Sequence, residues 1–295
     1  MNRNHLAVFG AVAEAGSVSG AATKLLVSQP AVSLQVAELE KALGVKLLDR
    51  LPRGVRPTAA GRLLAGYASR IAALEEEADV AIKQLLGLVR GRLVVGASLT
   101  IGSYLAPGLL ADFRAKHPDI DLELDVANTT DVQDRVARGE IEVGLTEGFA
   151  ENPLLSADVF AHDELIVIAA PADASTGKRG IAVAKLAGRP MVLREPGSGT
   201  RAVFERTVRS RGVELNVAMS LGSTEAVKIA VARGIGWGVV SSLAVAEEVK
   251  AGTLTHVKLT DLKMIRDLHA LTLLGRTLSP ASAAFLEQVR GGVKK

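Results

Sequence analysis

Three short stretches gather hydroxyl, glycine and backbone N–H groups in a way that holds a small oxyanion without reacting with it. They are Ser98-Leu99-Thr100 with Gly102, Gly197-Ser198-Gly199-Thr200-Arg201, and Gly222-Ser223-Thr224. Each follows an apolar run that reads as a strand and precedes a helical pattern, so each offers free N–H groups and the positive end of a helix. Arg201 adds a guanidinium able to grip a carboxylate or phosphate with two parallel bonds. Thr146 and Glu147 leave the strand nearest the first stretch. The Glu147 carboxylate would repel an anion there, so it is expected to turn outward or pair with a base. Any one of these stretches, taken singly, reads equally as a helix cap. Three in register, one of them PGSGTR, point to a cleft for a small anionic molecule.

A second set of polar residues lies near the N-terminus, where Gln29, Ser33 and Gln35 can meet base edges and Arg50, Arg53 and Arg56 can meet phosphates. The elements that position them run from Ser17 to Thr58. Ser19 is expected to cap a short helix with Ala21, Ala22, Leu25 and Leu26 on one face. Ser28 opens a second helix, with Pro30 in its first turn, where a missing N–H costs nothing. Val32, Val36, Leu39 and Leu43 recur in it as a buried stripe, leaving Gln29, Ser33 and Gln35 outside. An amphipathic hairpin of an ordinary bundle would share this pattern. The next segment separates the two, because Leu47 to Thr58 reads as strand, turn and strand with three arginines, punctuated by Pro52, Gly54 and Pro57. A basic hairpin beside a helix with small polar residues at its start is the plan of a winged helix-turn-helix.

Asn4-His5-Leu6 with Phe9, the run GSVSGAATKLLVSQPAVSLQVAELEKALGVKLLDR and RPTAAG at 56–61 resemble the N-terminal domain of LysR-type transcriptional regulators. Leu48 departs from that pattern, which has phenylalanine, and so does Leu34, often basic. The resemblance covers essentially the whole chain. It implies DNA contacts from Ser28, Gln29, Pro30, Ser33, Gln35, Arg50, Arg53, Arg56 and Thr58, and effector contacts from Ser98, Thr100, Thr146, Ser198, Thr200 and Ser223. It also implies a dimerising linker helix, assembly into a homotetramer, and RNA polymerase as a further partner. TEG at 146–148 with REPGSGTR at 194–201 is similar to a subgroup that regulates carbon fixation and sulfur assimilation.

With 295 residues the chain is too long for one winged-helix domain. The absence of cysteine excludes a disulfide framework and thiolate metal sites, and histidines 5, 117, 162, 256 and 269 show no metal-ligand spacing. No signal peptide or bilayer-length apolar run is evident, so a cytoplasmic protein is expected. The net charge of +3 is unevenly distributed. Residues 1–70 hold nine Lys or Arg against four Asp or Glu, and the remainder is slightly acidic. That asymmetry fits docking on double-stranded DNA through one end.

A first helix around Leu6, Phe9, Val12 and Ala13 ends near Gly16 and braces the hairpin. From Thr58 a helix should reach about Leu88, roughly 45 Å at 1.5 Å per residue. Leu63, Tyr67, Ile71, Leu74, Ala78, Ala81 and Leu85 form its apolar seam, largely heptad-spaced, and Glu75, Glu76, Glu77 and Asp79 its outer face. Beyond it, strands and helices alternate as in a doubly wound parallel sheet. Strands are expected at 92–97, 121–126, 141–146, 164–170, 191–194, 217–221, 236–241 and 268–274, and helices at 102–116, 130–138, 181–186, 200–211, 224–232 and 280–290. The expected organisation is a winged helix-turn-helix at 1–60, a linker helix at 58–90 and an α/β effector domain like a periplasmic binding protein at 91–295. Its first subdomain takes 91–162 and 267–295, and its second 163–266.

An enzyme would need a catalytic constellation. GSGTR lacks the G-x-S-x-G frame, no G-x-x-x-x-G-K-[ST] follows a strand, and Gly234, Gly236 and Gly238 do not fit G-x-G-x-x-G. A solute-binding transport protein would share the cleft but would have no use for residues 1–90. The reading is therefore a transcriptional regulator with no cofactor, controlled by a small, anionic metabolite.

Overall fold

A computed structural model describes residues 2–51, 54–85, 91–173 and 180–291. These form two compact units, one built on 2–85 and the other on 91–137 with 141–291.

In the first unit, α1 (Arg3–Ala15) stops at Gly16, which takes the left-handed conformation. The next helix, α2 (Val18–Leu25), is capped by Ser17 and not by Ser19. Ser17 is extended and accepts from Gly20 N at 3.0 Å, while Ser19 lies inside the helix. Ser28 caps α3 (Gln29–Leu43) as its sequence indicates, accepting from Ala31 N. Strands β1 (Leu48–Arg50) and β2 (Val55–Pro57) pair antiparallel as the wing. Gly54 at their turn has φ +85°, and a Cβ there would sit 2.5 Å from the carbonyl oxygen of Gly16. The wing is thereby tied to the helical core, and Val55 N donates to the same oxygen at 2.8 Å. Phe9, Val12, Val32, Val36, Leu39 and Leu47 fill that core, with Leu48 packed against it.

The long helix α4 (Ala59–Leu85) contributes Leu64 and Ala65 to this core. Its expected extension to Leu88 lies outside the described residues, as do the side chains of Ala81 and Leu85. Along its length Leu63, Tyr67, Leu74 and Ile82 are all more than half exposed.

The second unit contains one hydrogen-bonded sheet of nine strands among the described residues. Its order is β4 (Asp121–Ala127), β3 (Arg92–Ser98), β5 (Val143–Glu147), β11 (Met264–Leu273), β6 (Leu155–Ala169), β9 (Trp237–Ser241), β7 (Pro190–Arg194) and β8 (Asn216–Leu221), with β10 (Thr255–Val257) paired to β6. The two ends of this sheet are parallel, but the middle is not. β6 and β11 run antiparallel to each other and also pair with β5 and β9. The sheet is therefore mixed, and the boundaries expected at 162/163 and 266/267 fall inside two long strands that both halves share. β6 is more than twice as long as the expected strand at 164–170, reaching back to Leu155 through a stretch that carries Asp158, His162 and Asp163.

Helices α5 (Leu99–Tyr104) and α6 (Ala106–Lys116) replace the single helix expected at 102–116. Pro107 lies in the first turn of α6, and the chain breaks at Leu105 before it. The remaining helices are α7 (Thr129–Ala137), α8 (Gly199–Arg209), α9 (Thr224–Ala232), α10 (Ala246–Ala251) and α11 (Pro280–Gly291), with a 3-10 turn at Val183–Leu186 in place of the helix expected at 181–186. One core, around Ile101, Phe113, Leu145 and Phe285, lies in the half containing β3. Two more cover the faces of the half containing β7, one around Phe204 and Trp237 and one around Ile168 and Val231.

Candidate functional site

Two of the three stretches singled out in the sequence meet, with the end of β5, in the second unit, and the third, Gly222-Ser223-Thr224, does not join them. β3 ends in Ser98 and leads directly into α5 with Thr100, and β5 ends in Thr146 and Glu147. The start of α8 brings Ser198 and Thr200, and all six of these residues are buried. The Ser98 hydroxyl donates to the Glu147 carboxylate and makes no cap bond to α5. Ser198 caps α8, while Thr129 at the head of α7 accepts from Gly199 N at 3.1 Å. Gly199 is required here, because a Cβ would lie 2.2 Å from the carbonyl oxygen of Glu147.

At the centre of this group stands a residue that sequence reading missed. Arg266, on β11, is 3 % exposed. Its Nε and Nη2 donate to Asp163 on the neighbouring strand at 2.8 and 2.6 Å. Its Nη1 donates to Thr200 Oγ1 at 2.8 Å and its Nη2 to Thr100 Oγ1 at 3.4 Å, and Glu147 lies 3.7 Å from Nη1. The guanidinium thus touches both halves of the unit at once. Asp163 is held on its other side by Ser241 Oγ at 2.8 Å. No local motif announces Arg266, since its carboxylate partner lies 103 residues upstream. The one available signal is an arginine inside an otherwise alternating strand, M-I-R-D-L-H-A-L.

Arg201 occupies a different place. Its guanidinium binds Glu205, the carbonyl of Arg194 and the hydroxyl of Ser220, at 2.7, 3.0 and 2.9 Å. Ser223 caps α9 by accepting from Ala226 N at 3.1 Å. The expectation that Glu147 turns outward or pairs with a base resolves toward pairing.

In the first unit, Ser28, Gln29, Pro30 and Ser33 are exposed at the start of α3. Gln35 is not fully outside as expected. It lies four residues before Leu39, on the flank of the buried stripe, and its side-chain oxygen is buried. Arg56 is exposed on β2. Thr58 is structural, donating to Lys46 O at 2.8 Å and capping α4 by accepting from Gly61 N at 3.0 Å. Arg53 and the Arg50 side chain lie outside the described residues.

Two family models match the chain, "Bacterial regulatory helix-turn-helix protein, lysR family" over residues 3–62 and "LysR substrate binding domain" over residues 86–294. The chain belongs to the LysR family of transcriptional regulators. This LysR-type regulator is 37% identical to a "Probable RuBisCO transcriptional regulator" of Cyanidioschyzon merolae, covering 97% of this chain and 96% of that one. It is 34% identical to the transcriptional regulator CysL of Bacillus subtilis, over 80% of this chain and 79% of that one. Among solved structures, the Synechocystis PCC6803 CcmR regulatory domain in complex with 2-PG matches at 29% identity with a TM-score of 0.65, covering 70% of this chain and 99% of that one. As a LysR-type regulator the protein binds DNA through its helix-turn-helix and carries an effector-binding domain. No helix among the described residues is long and apolar enough to cross a membrane.

Proposed function

We propose that this regulator senses a small anionic metabolite through Arg266 and passes that signal to paired DNA-reading heads. The observation that carries the reading is the buried guanidinium of Arg266, fixed along one edge by Asp163 and meeting the hydroxyls of Thr100 and Thr200 elsewhere, with the Glu147 carboxylate 3.7 Å from Nη1. An oxyanion can take the place of those hydroxyls with stronger, charge-assisted bonds. Ser98 reaches the same group through Glu147 and Ser198 caps the helix that presents Thr200, whereas Arg201 and Ser223 brace the surrounding loops and Thr146 is buried beside Glu147 in the chain. The CcmR domain supports the anion class, because 2-phosphoglycolate carries a phosphate and a carboxylate.

Thr100 lies on one half of the domain and Thr200 on the other, so an anion between them draws the halves together. A ligand acts on an equilibrium only by its preference for one state. Closure would then alter the angle between two heads and the half-sites they span together. Gln29, Pro30 and Ser33 read the major groove in this scheme, and Arg50, Arg53 and Arg56 hold the backbone. Pairing runs through the exposed apolar seam of α4, and contacts between effector domains build a tetramer. The protein works in the cytoplasm by binding rather than catalysis, with RNA polymerase as a partner. Calorimetry of 2-phosphoglycolate and other small oxyanions on the intact chain, with and without Arg266→Lys, tests the reading.

A further inference from the structure

The outward face of α3 carries an apolar stripe that a polar recognition surface does not require. Pro30, Leu34 and Ala37 are spaced four and three residues apart and so share one side of the helix. That side lies opposite Val32, Val36 and Leu39, which fill the head's core. All three are exposed, Leu34 at 60%. Gln29 and Ser33, also exposed, flank the stripe on one side. On the other, Glu38 is engaged by His5 Nε2 at 3.2 Å. Leu34 therefore projects from the first half of the recognition helix, beside the two side chains best suited to base edges.

We propose that Leu34 is a specificity-determining residue that reads the C5-methyl group of thymine in the major groove. Among the features base pairs display there, the thymine methyl is the one apolar group that projects into the groove, and the others, apart from the small C5–H of cytosine, are hydrogen-bond donors or acceptors that Leu34 cannot answer. A leucine pressed against such a donor or acceptor leaves it without water or partner, which disfavours the wrong base. Gln29 and Ser33 supply hydrogen bonds to the neighbouring pairs. The inference rests on α3 being the element that enters the groove, and Gln29→Ala, which should relax base selection at a neighbouring position, checks that premise separately.

The test begins with duplexes selected by the full-length protein from a randomised library. Each thymine of the selected half-site is then replaced by deoxyuridine, which lacks only the methyl group. At one thymine of each half-site, the replacement should weaken binding by the unaltered protein about fourfold, the worth of one methyl group removed from water. Leu34→Ala should bind the thymine and deoxyuridine duplexes equally. Leu34→Gln should shift the selected base at that position away from thymine, and all three proteins should melt alike because the side chain is exposed. Equal losses by the unaltered protein and Leu34→Ala at every thymine, or a selected site with no fixed thymine, would overturn the proposal.

Discussion

Asp163 and Arg266 face each other on adjacent antiparallel strands, with Arg266 Nη2 2.6 Å from Asp163 Oδ2 and both side chains about 1% exposed. The pair lies where β6 and β11 pass from one half of the effector domain to the other. Removing either partner would strand a buried charge, which typically costs about 3–5 kcal/mol. The pair therefore fixes the guanidinium, whose other N–H groups meet Thr100 and Thr200 with Glu147 3.7 Å away.

Glu147 opposes an anion at this place, since its carboxylate is buried and 3.7 Å from Arg266 Nη1. Glu147→Gln keeps the shape and an acceptor for the Ser98 hydroxyl while deleting the charge. Affinity for an anionic effector should rise by about 1–3 kcal/mol, the scale of a like charge nearby at an effective dielectric near 20. Calorimetric titration of both proteins with one oxyanion measures this, and weaker binding by the variant would place Glu147 among the residues that hold the ligand.

The apolar seam of α4 predicts an assembly. Placing glutamate at both Ile71 and Leu74 would bury two charges per chain against their symmetry mates. Such burial without partners is costly enough to separate the chains. Sedimentation at micromolar concentration should show monomers. An unchanged oligomer would mean that α4 pairs through another face or not at all.

Glu40 links the stability of the head to pH. Burial pushes its carboxyl up, but hydrogen bonds from Lys46 and from the N–H groups of Leu47 and Leu48 outweigh this and hold it below the usual 4.5. A carboxyl lowered by folding contributes stability that is complete above its unfolded value and is lost as pH falls through the folded one. Glu40→Gln should therefore destabilise the head by about 1–3 kcal/mol at pH 7. Calorimetric melting should show that gap narrowing below about pH 4.5. A gap of constant size from pH 7 to pH 4 would show that charge plays no part.

The head is legible in the sequence because its signals are local. Caps, an apolar stripe and turn residues lie within a few positions of one another, and even the cap expected at Ser19 sits close by, at Ser17. The strand exits bearing Ser98, Thr146 and Ser198 are legible for the same reason. The features hidden from sequence depend on partners far apart in the chain. β6 reads as a short strand because Asp163 breaks the apolar run that follows it, yet the Asp163 carboxylate is buried against Arg266, 103 residues further on. Arg201 stands next to the predicted cleft in sequence, but a glutamate one helical turn away, Glu205, draws its guanidinium aside.

The central claim is that Arg266 is the cation that anchors an anionic effector. Its most direct test is isothermal calorimetry of 2-phosphoglycolate, sulfate and phosphate on the intact protein and on Arg266→Lys and Arg201→Ala. Lysine keeps the charge against Asp163 but loses the planar fork. At least one oxyanion should bind the unaltered protein, bind Arg266→Lys at least about tenfold more weakly, and bind Arg201→Ala nearly unchanged, since one charge-assisted bond is worth about 1.5–3 kcal/mol. Equal affinity for Arg266→Lys and the unaltered protein, or tight binding only of a neutral or cationic compound, would contradict it.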